Sequence, residues 1–188
     1  MVGKKNIVFG FLFLASTAAL GPLMVVKYDD WGVANTEKQQ MVGKLQELRA
    51  SDYEEDLETL EDLSAKQLAI ANTEAIISMN KVGANEFGID FIKGGPHAHG
   101  NLEALLNIVV GVVLCFIVAP LMLKQVVSWM FIIGTLMHSG LLYLERVFMQ
   151  EWASIWLNTA IGPILILSGL VLMGAMAFKG FKGEWVQG

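Results

Sequence analysis

Apolar residues run long enough to fill a hydrocarbon span in four places along the chain: Asn6 to Val26, Leu102 to Leu123, Val126 to Leu144 and Ile155 to Phe178. A helix rising ~1.5 Å per residue needs ~20 such residues to cross a bilayer core, so the pattern predicts four transmembrane helices. Between the first and second spans the pattern changes. Leu45, Leu48, Leu57, Leu60, Leu63 and Leu68 recur at helical spacing with a break near Ser51 and Asp52, which predicts a helical hairpin or a bent helix. Gly83, Gly88, Gly94, Gly95 and Pro96 then predict a loop returning the chain to the membrane, with Pro96 as the first residue of the second span. The expected fold class is all-α, a four-transmembrane-helix bundle with an extracytoplasmic acidic helical hairpin between helices 1 and 2. The expected organisation is a first transmembrane helix at 1–28, the acidic segment at 29–95 and a three-helix region at 96–188.

Composition sharpens this picture. The 188 residues are 54% hydrophobic and 16% charged, too apolar a balance for a soluble domain of this length. Lys4 and Lys5 precede the first span, Lys124 lies between the second and third, and Lys179 and Lys182 follow the fourth. Cytoplasmic enrichment of lysine near span ends therefore places both termini in the cytoplasm, as in a bacterial inner membrane, with Lys27 the minor exception. Lys4 and Lys5 ahead of an apolar run, with small residues from Ala15 to Ala19, also fit a cleaved signal peptide. The continued apolar run to Val26 favours a span. Fourteen acids face six bases between Asp29 and Lys93, which excludes a nucleic-acid partner. Asp52, Glu54, Glu55, Asp56, Glu58, Glu61 and Asp62 lack the spacing and glycine of an EF-hand and read as a solvated face. The lone Cys115 sits in an apolar run and has no disulfide partner in the chain. Trp31, Trp152, Trp156 and Trp185 read as interface anchors.

Ionisable groups are costly in hydrocarbon, so those in or beside a span carry functional information. All three histidines, His97, His99 and His138, fall in the outer half of the expected bundle. Residues four apart share a helix face, so His99, Glu103, Asn107, Gly111 and Cys115 form one polar-to-small stripe that must face protein or a cofactor. His97 points away from His99 because positions two apart on a helix diverge. Counted from the expected span ends, His138 lies ~9 Å and Asn107 ~8 Å below the outer surface, which predicts that these two stand opposite each other. Gly134 and Gly140 offer room for a neighbouring helix or a flat ligand.

The stretch His97, Ala98, His99, Asn101 and Leu102 resembles that of the short membrane proteins likened to subunit I of cytochrome c oxidase. Ala98, His99 and Asn107 are also similar to the opening of the second span of the styrene oxide isomerase family, although Asn107 stands farther from its histidine than in that pattern. The resemblance implies heme b, with iron on His99 as axial ligand and Asn107 lining the pocket. It also implies either isomerase-like Lewis-acid chemistry at an epoxide or electron transfer. His138 is then either a supporting pocket residue or a second axial ligand. Two other expectations stand beside this one. Copper or zinc would use His97, His99 and Glu103. A non-catalytic accessory subunit of a larger membrane complex would dock a partner through the acidic hairpin. A homo-oligomer is expected under the heme reading, because four short-looped helices leave little interior for a porphyrin.

Overall fold

The computed structural model describes residues 1–56 and 61–181, with the backbone alone at Glu61. The expectations placed on Leu57, Glu58, Leu60, Lys182 and Trp185 lie outside the described residues. The helices are α1 (Gly3–Ala18), α2 (Leu20–Ala50), α3 (Ala65–Ile92), α4 (Ala98–Phe116), α5 (Leu121–Thr135), α6 (Leu141–Arg146), α7 (Glu151–Leu157) and α8 (Ile161–Gly180). Two irregular turns join the helices: Lys93–His97, kinked at Gly95, joins α3 to α4, and Leu136–Gly140, a π-turn, joins α5 to α6. The described chain is almost wholly helical and contains four helical stretches long and apolar enough to cross a membrane. It divides into two compact units, Pro22–Asp90 and the combination of Met1–Gly21 with Phe91–Gly188.

The Pro22–Asp90 unit is an antiparallel helical pair. Trp31 Nε1 donates to Glu86 Oε1 at 3.1 Å and Lys81 pairs with Glu37 at 2.6 Å, two contacts that fix one register. Ala34 on α2 and Ala71, Ala75 and Val82 on α3 are buried. The chain reverses where Asp52 and Tyr53 adopt left-handed backbone (φ 56 and 65), as the break near Ser51 and Asp52 predicts. A two-residue ribbon follows, β1 (Glu55–Asp56) antiparallel to β2 (Glu61–Asp62). Ser64 and Gln67 then form a reciprocal capping box at the start of α3: Gln67 N donates to Ser64 Oγ at 3.3 Å and Ser64 N to Gln67 Oε1 at 2.8 Å.

Four features of these boundaries differ from the expectation. Gly83 and Gly88 lie inside α3 rather than in a loop, because an isolated glycine costs a helix only ~1 kcal/mol and packing offsets it. Between α3 and α4 the chain leaves the helical path at Gly95 (φ −101, ψ −106), so Pro96 sits within a kink between two helices instead of opening the span. The second span stops at Phe116, short of Leu123. Pro120 cannot continue a helix and holds its predecessors extended, and Val118 N bonds to Gly180 O at 2.8 Å instead. The fourth span starts at Ile161, since Ala160 is left-handed (φ 54) and separates α7 from α8.

Within the Met1–Gly21 and Phe91–Gly188 unit, helices approach at glycines. A Cβ on Gly111 would stand 2.7 Å from Ile7 Cγ1 and 2.6 Å from Gly3 O, so α1 and α4 touch backbone to backbone. Gly134 does the same for α5 against α8, where a Cβ would meet Ile166 at 2.7 Å. Phe131, Val127, Leu114, Val110, Ile166 and Met173 form the apolar core between these contacts. Gly174, by contrast, has nothing within 4 Å. Gly111→Val should therefore force α1 off α4 and cost about 1–3 kcal/mol, while Gly174→Ala, inside α8 with open space around it, should gain up to ~1 kcal/mol. Thermal unfolding of both variants in detergent, followed by circular dichroism, checks this, and equal melting temperatures would refute the close-packing account.

Candidate metal centre

Asn107 sets the register between three helices. Its carbonyl accepts from Asn6 Nδ2 on α1 at 3.0 Å, and its amide donates to Thr135 Oγ1 on α5 at 2.9 Å and to Glu103 O at 3.0 Å. Asn6 also donates to Ser128 O at 3.0 Å and accepts from the Ser128 hydroxyl. These side chains are all essentially inaccessible to solvent. With its carbonyl and amide both engaged by neighbouring helices, Asn107 serves as an interhelical tie. The expected stripe is otherwise as the spacing predicts: Glu103, Asn107, Gly111 and Cys115 are all buried against protein, with His99 exposed at its head.

With Thr135 held opposite Asn107, His138 lies ~5 Å farther along its helix. That places it beside Glu103, not beside Asn107. The depth estimate fails because it assumed that α4 and α5 begin and end at matching heights. The observed pairing offsets them, and the π-turn from Leu136 to Gly140 changes the phase at which His138 projects. His138 Nδ1 and Glu103 Oε1 are 2.5 Å apart. The His99 ring stacks edge-on against His138, with centroids 5.0 Å apart and planes at 66°. One donor atom from each of His99, Glu103 and His138 lies within 4.8 Å of the other two.

Glu103 is the residue that makes this cluster chemically informative. Its side chain is 6% exposed, and Oε2 has no hydrogen-bond partner among the described residues. The neighbouring Ser139 is also buried, with its hydroxyl unpartnered. A buried, half-satisfied carboxylate facing two imidazoles is a donor set for a cation.

His97 does not join the cluster. Its Nδ1 lies 3.1 Å from Thr17 O and 3.5 Å from Asn101 Nδ2, and Thr17 Oγ1 donates to Asn101 Oδ1 at 2.8 Å. It fastens α1 to the start of α4, so the set of His97, His99 and Glu103 expected for copper or zinc is not assembled. Arg146 holds the same bend by donating to Phe91 O at 2.9 Å with its guanidinium over the Phe91 ring. Asn6, Ser128, Thr135 and Ser139 were not singled out by the sequence reading. Lone polar residues within apolar spans were the available signal for all four.

An apolar groove of about 600 Å³ lies beside the π-turn, walled by Phe13, Met137, Leu141, Tyr143, Trp152 and Trp156 among others. No histidine or carboxylate lines it.

Comparison with family models, with curated proteins and with solved structures finds no match to this chain. The likeness to the isomerase and oxidase-like proteins thus rests on the short His97–Leu102 stretch and Asn107 alone.

The pair of Glu103 and His138 should carry measurable energy even without a ligand. His138→Ala leaves both Glu103 oxygens without a side-chain partner and should cost about 2–3 kcal/mol. Glu103→Leu introduced into His138→Ala should recover most of the loss. Reversible unfolding of the two variants and the wild type in mixed micelles measures the coupling, and a His138→Ala protein as stable as wild type would remove the pair's energetic role.

Proposed function

We propose that this protein is an integral membrane metalloprotein that holds a single transition-metal ion on His99, Glu103 and His138, near the outer face of the bilayer. The convergence of two imidazoles and one buried carboxylate with an unpartnered oxygen carries the reading. Imidazole with carboxylate suits zinc or non-heme iron, and imidazole also suits copper. Metal–ligand bonds of ~2.0–2.1 Å place donors ~3 Å apart, so closing this cluster onto an ion needs shifts of about an ångström or two. The chemistry such an ion supplies is Lewis-acid polarisation or electron exchange.

Heme b is the second reading, supported by the exposure of the His99 imidazole and by its sequence context. His99 would be its only axial ligand. Two imidazoles bracketing a porphyrin at ~2.0 Å each from iron have centroids ~6 Å apart and a plane between them. The edge-on pair here, at 5.0 Å, leaves no such slot. The apolar groove offers a porphyrin volume but no ligand for its iron. A heme would need a surface contributed at His99 by a second copy of the chain or another subunit.

The membrane orientation proposed with this function puts the Pro22–Asp90 helical pair and the histidines on the extracytoplasmic side and both termini inside. An accessory role in a larger complex, docked through that acidic pair, has no observation favouring it over the metal centre.

The purified protein, stripped and then titrated with Zn²⁺ or Co²⁺, should bind one equivalent. His99→Ala and His138→Ala should each weaken binding by more than the ~10–100-fold typical of losing an outer-sphere partner, and His97→Ala should bind as wild type. A Soret band in the untreated protein that vanishes in His99→Ala would establish heme instead.

Orientation has its own test. In a Cys115→Ala background, Lys66→Cys should react with a membrane-impermeant maleimide in intact cells and Lys179→Cys only after permeabilisation. The reverse pattern would invert the topology.

A further inference from the structure

The metal reading leaves the coordination sphere incomplete, and the shape and charge of the remainder select what completes it. Among the described residues the cluster offers three donors, whereas zinc takes four ligands and non-heme iron more. The donors are not evenly enclosed. Glu103 is buried, His138 is partly covered with 21% side-chain exposure, and His99 is exposed. Protein therefore closes the site from the Glu103 side, and the unfilled positions open on the side of His99.

Charge narrows the class of ligand. A divalent ion bound by one carboxylate and two neutral imidazoles retains a single net positive charge. No other carboxylate forms part of the donor set. Asn107 on α4, Thr135 on α5 and Ser139 in the Leu136–Gly140 turn are buried and neutral, and the buried Lys124 lies in the first turn of α5, at the end remote from His138. On the buried Glu103 side water cannot compensate the remaining charge, and a monoanion at the open position cancels it, whereas a neutral donor does not.

We infer that the site binds a small exchangeable monoanion, of the class of hydroxide, azide or a carboxylate, directly on the metal at the face opened by His99. This rests on the metal reading above and goes beyond it by assigning a reactive rather than a purely structural centre.

The test uses the full-length protein in detergent, loaded with Co²⁺ so that the metal's own visible bands report its ligands. Sodium azide and formate should each shift those bands saturably in the millimolar range, while dimethyl sulfoxide, a neutral oxygen donor, should require at least tenfold higher concentration. Spectra unmoved by azide in protein that has demonstrably taken up cobalt would overturn the inference and indicate a closed site. Equal responses to azide and dimethyl sulfoxide would overturn the charge argument. Failure to take up cobalt at all would instead remove the metal reading on which the inference rests. A Lys4→Gln variant, altered at an exposed cation outside the cluster, should bind azide as wild type does. A matching loss of azide binding there would assign the response to surface charge.

Discussion

The hydrogen bonds of Asn107 are the constraint on which the rest of the bundle depends. Helices long and apolar enough to cross a membrane would gain little by leaving lipid for one another, so their association has to come from close packing and from polar groups that find partners across helix boundaries. Asn107 bonds to α1 through Asn6 and to α5 through Thr135, and Asn6 closes the triangle at Ser128. Glycines supply the approach that makes those bonds possible: Gly3 and Gly111 bring α1 against α4. A slip by one helical position would leave several buried polar atoms unpaired at once, so this register is the one the bundle keeps.

From that register the position of the site follows. Thr135 opposite Asn107 puts His138 beside Glu103, and Gly162 on α8 lets the π-turn settle so closely that a Cβ there would stand 2.6 Å from His138 N. His138 is thus fixed from behind by α8 and in front by the carboxylate. His99 and Glu103 lie on α4 and His138 in the π-turn that continues α5, so helical backbone positions all three side chains. The kink at Gly95 ends at His97, and the π-turn of Leu136–Gly140 contains His138. Extra residues inserted into a helix commonly mark functional positions, because they turn a side chain to a phase that regular winding denies it.

Those turns also explain what the sequence could and could not show. Four apolar runs were legible because hydrocarbon length is a coarse quantity that tolerates errors at either end. The stripe through Glu103, Asn107, Gly111 and Cys115 was legible because α4 is regular there, so residues four apart do share a buried face. The neighbour of His138 was not, because reading depth from span ends assumes uniform rise and level starts, and α5 meets a π-turn two residues before that histidine. Gly83 and Gly88 misled in the opposite sense: the local signal for a loop was outweighed by pairing of α3 with α2, which no single segment reveals. Pro120 carried the correct stop signal, yet the run of apolar residues around it concealed the end of the span at Phe116.

The burial of Glu103 is the feature that a purely structural bundle leaves unexplained. Asn107 shows what a helix-tying residue looks like in this fold: neutral and bonded on both sides. Glu103 is as deeply placed, but only one of its oxygens is engaged, and by a titratable imidazole rather than by backbone or a neutral side chain. A glutamine at that position would satisfy a helix contact without the cost of desolvating a charge, and a leucine would fill the space without a polar group. A carboxylate becomes the favourable choice when its charge is needed. His138 engages Oε1 alone, whereas a cation shared with His99, as proposed above, would also engage Oε2. That second arrangement would leave neither carboxylate oxygen orphaned, and it would set the ion against Glu103, the buried carboxylate among the described residues.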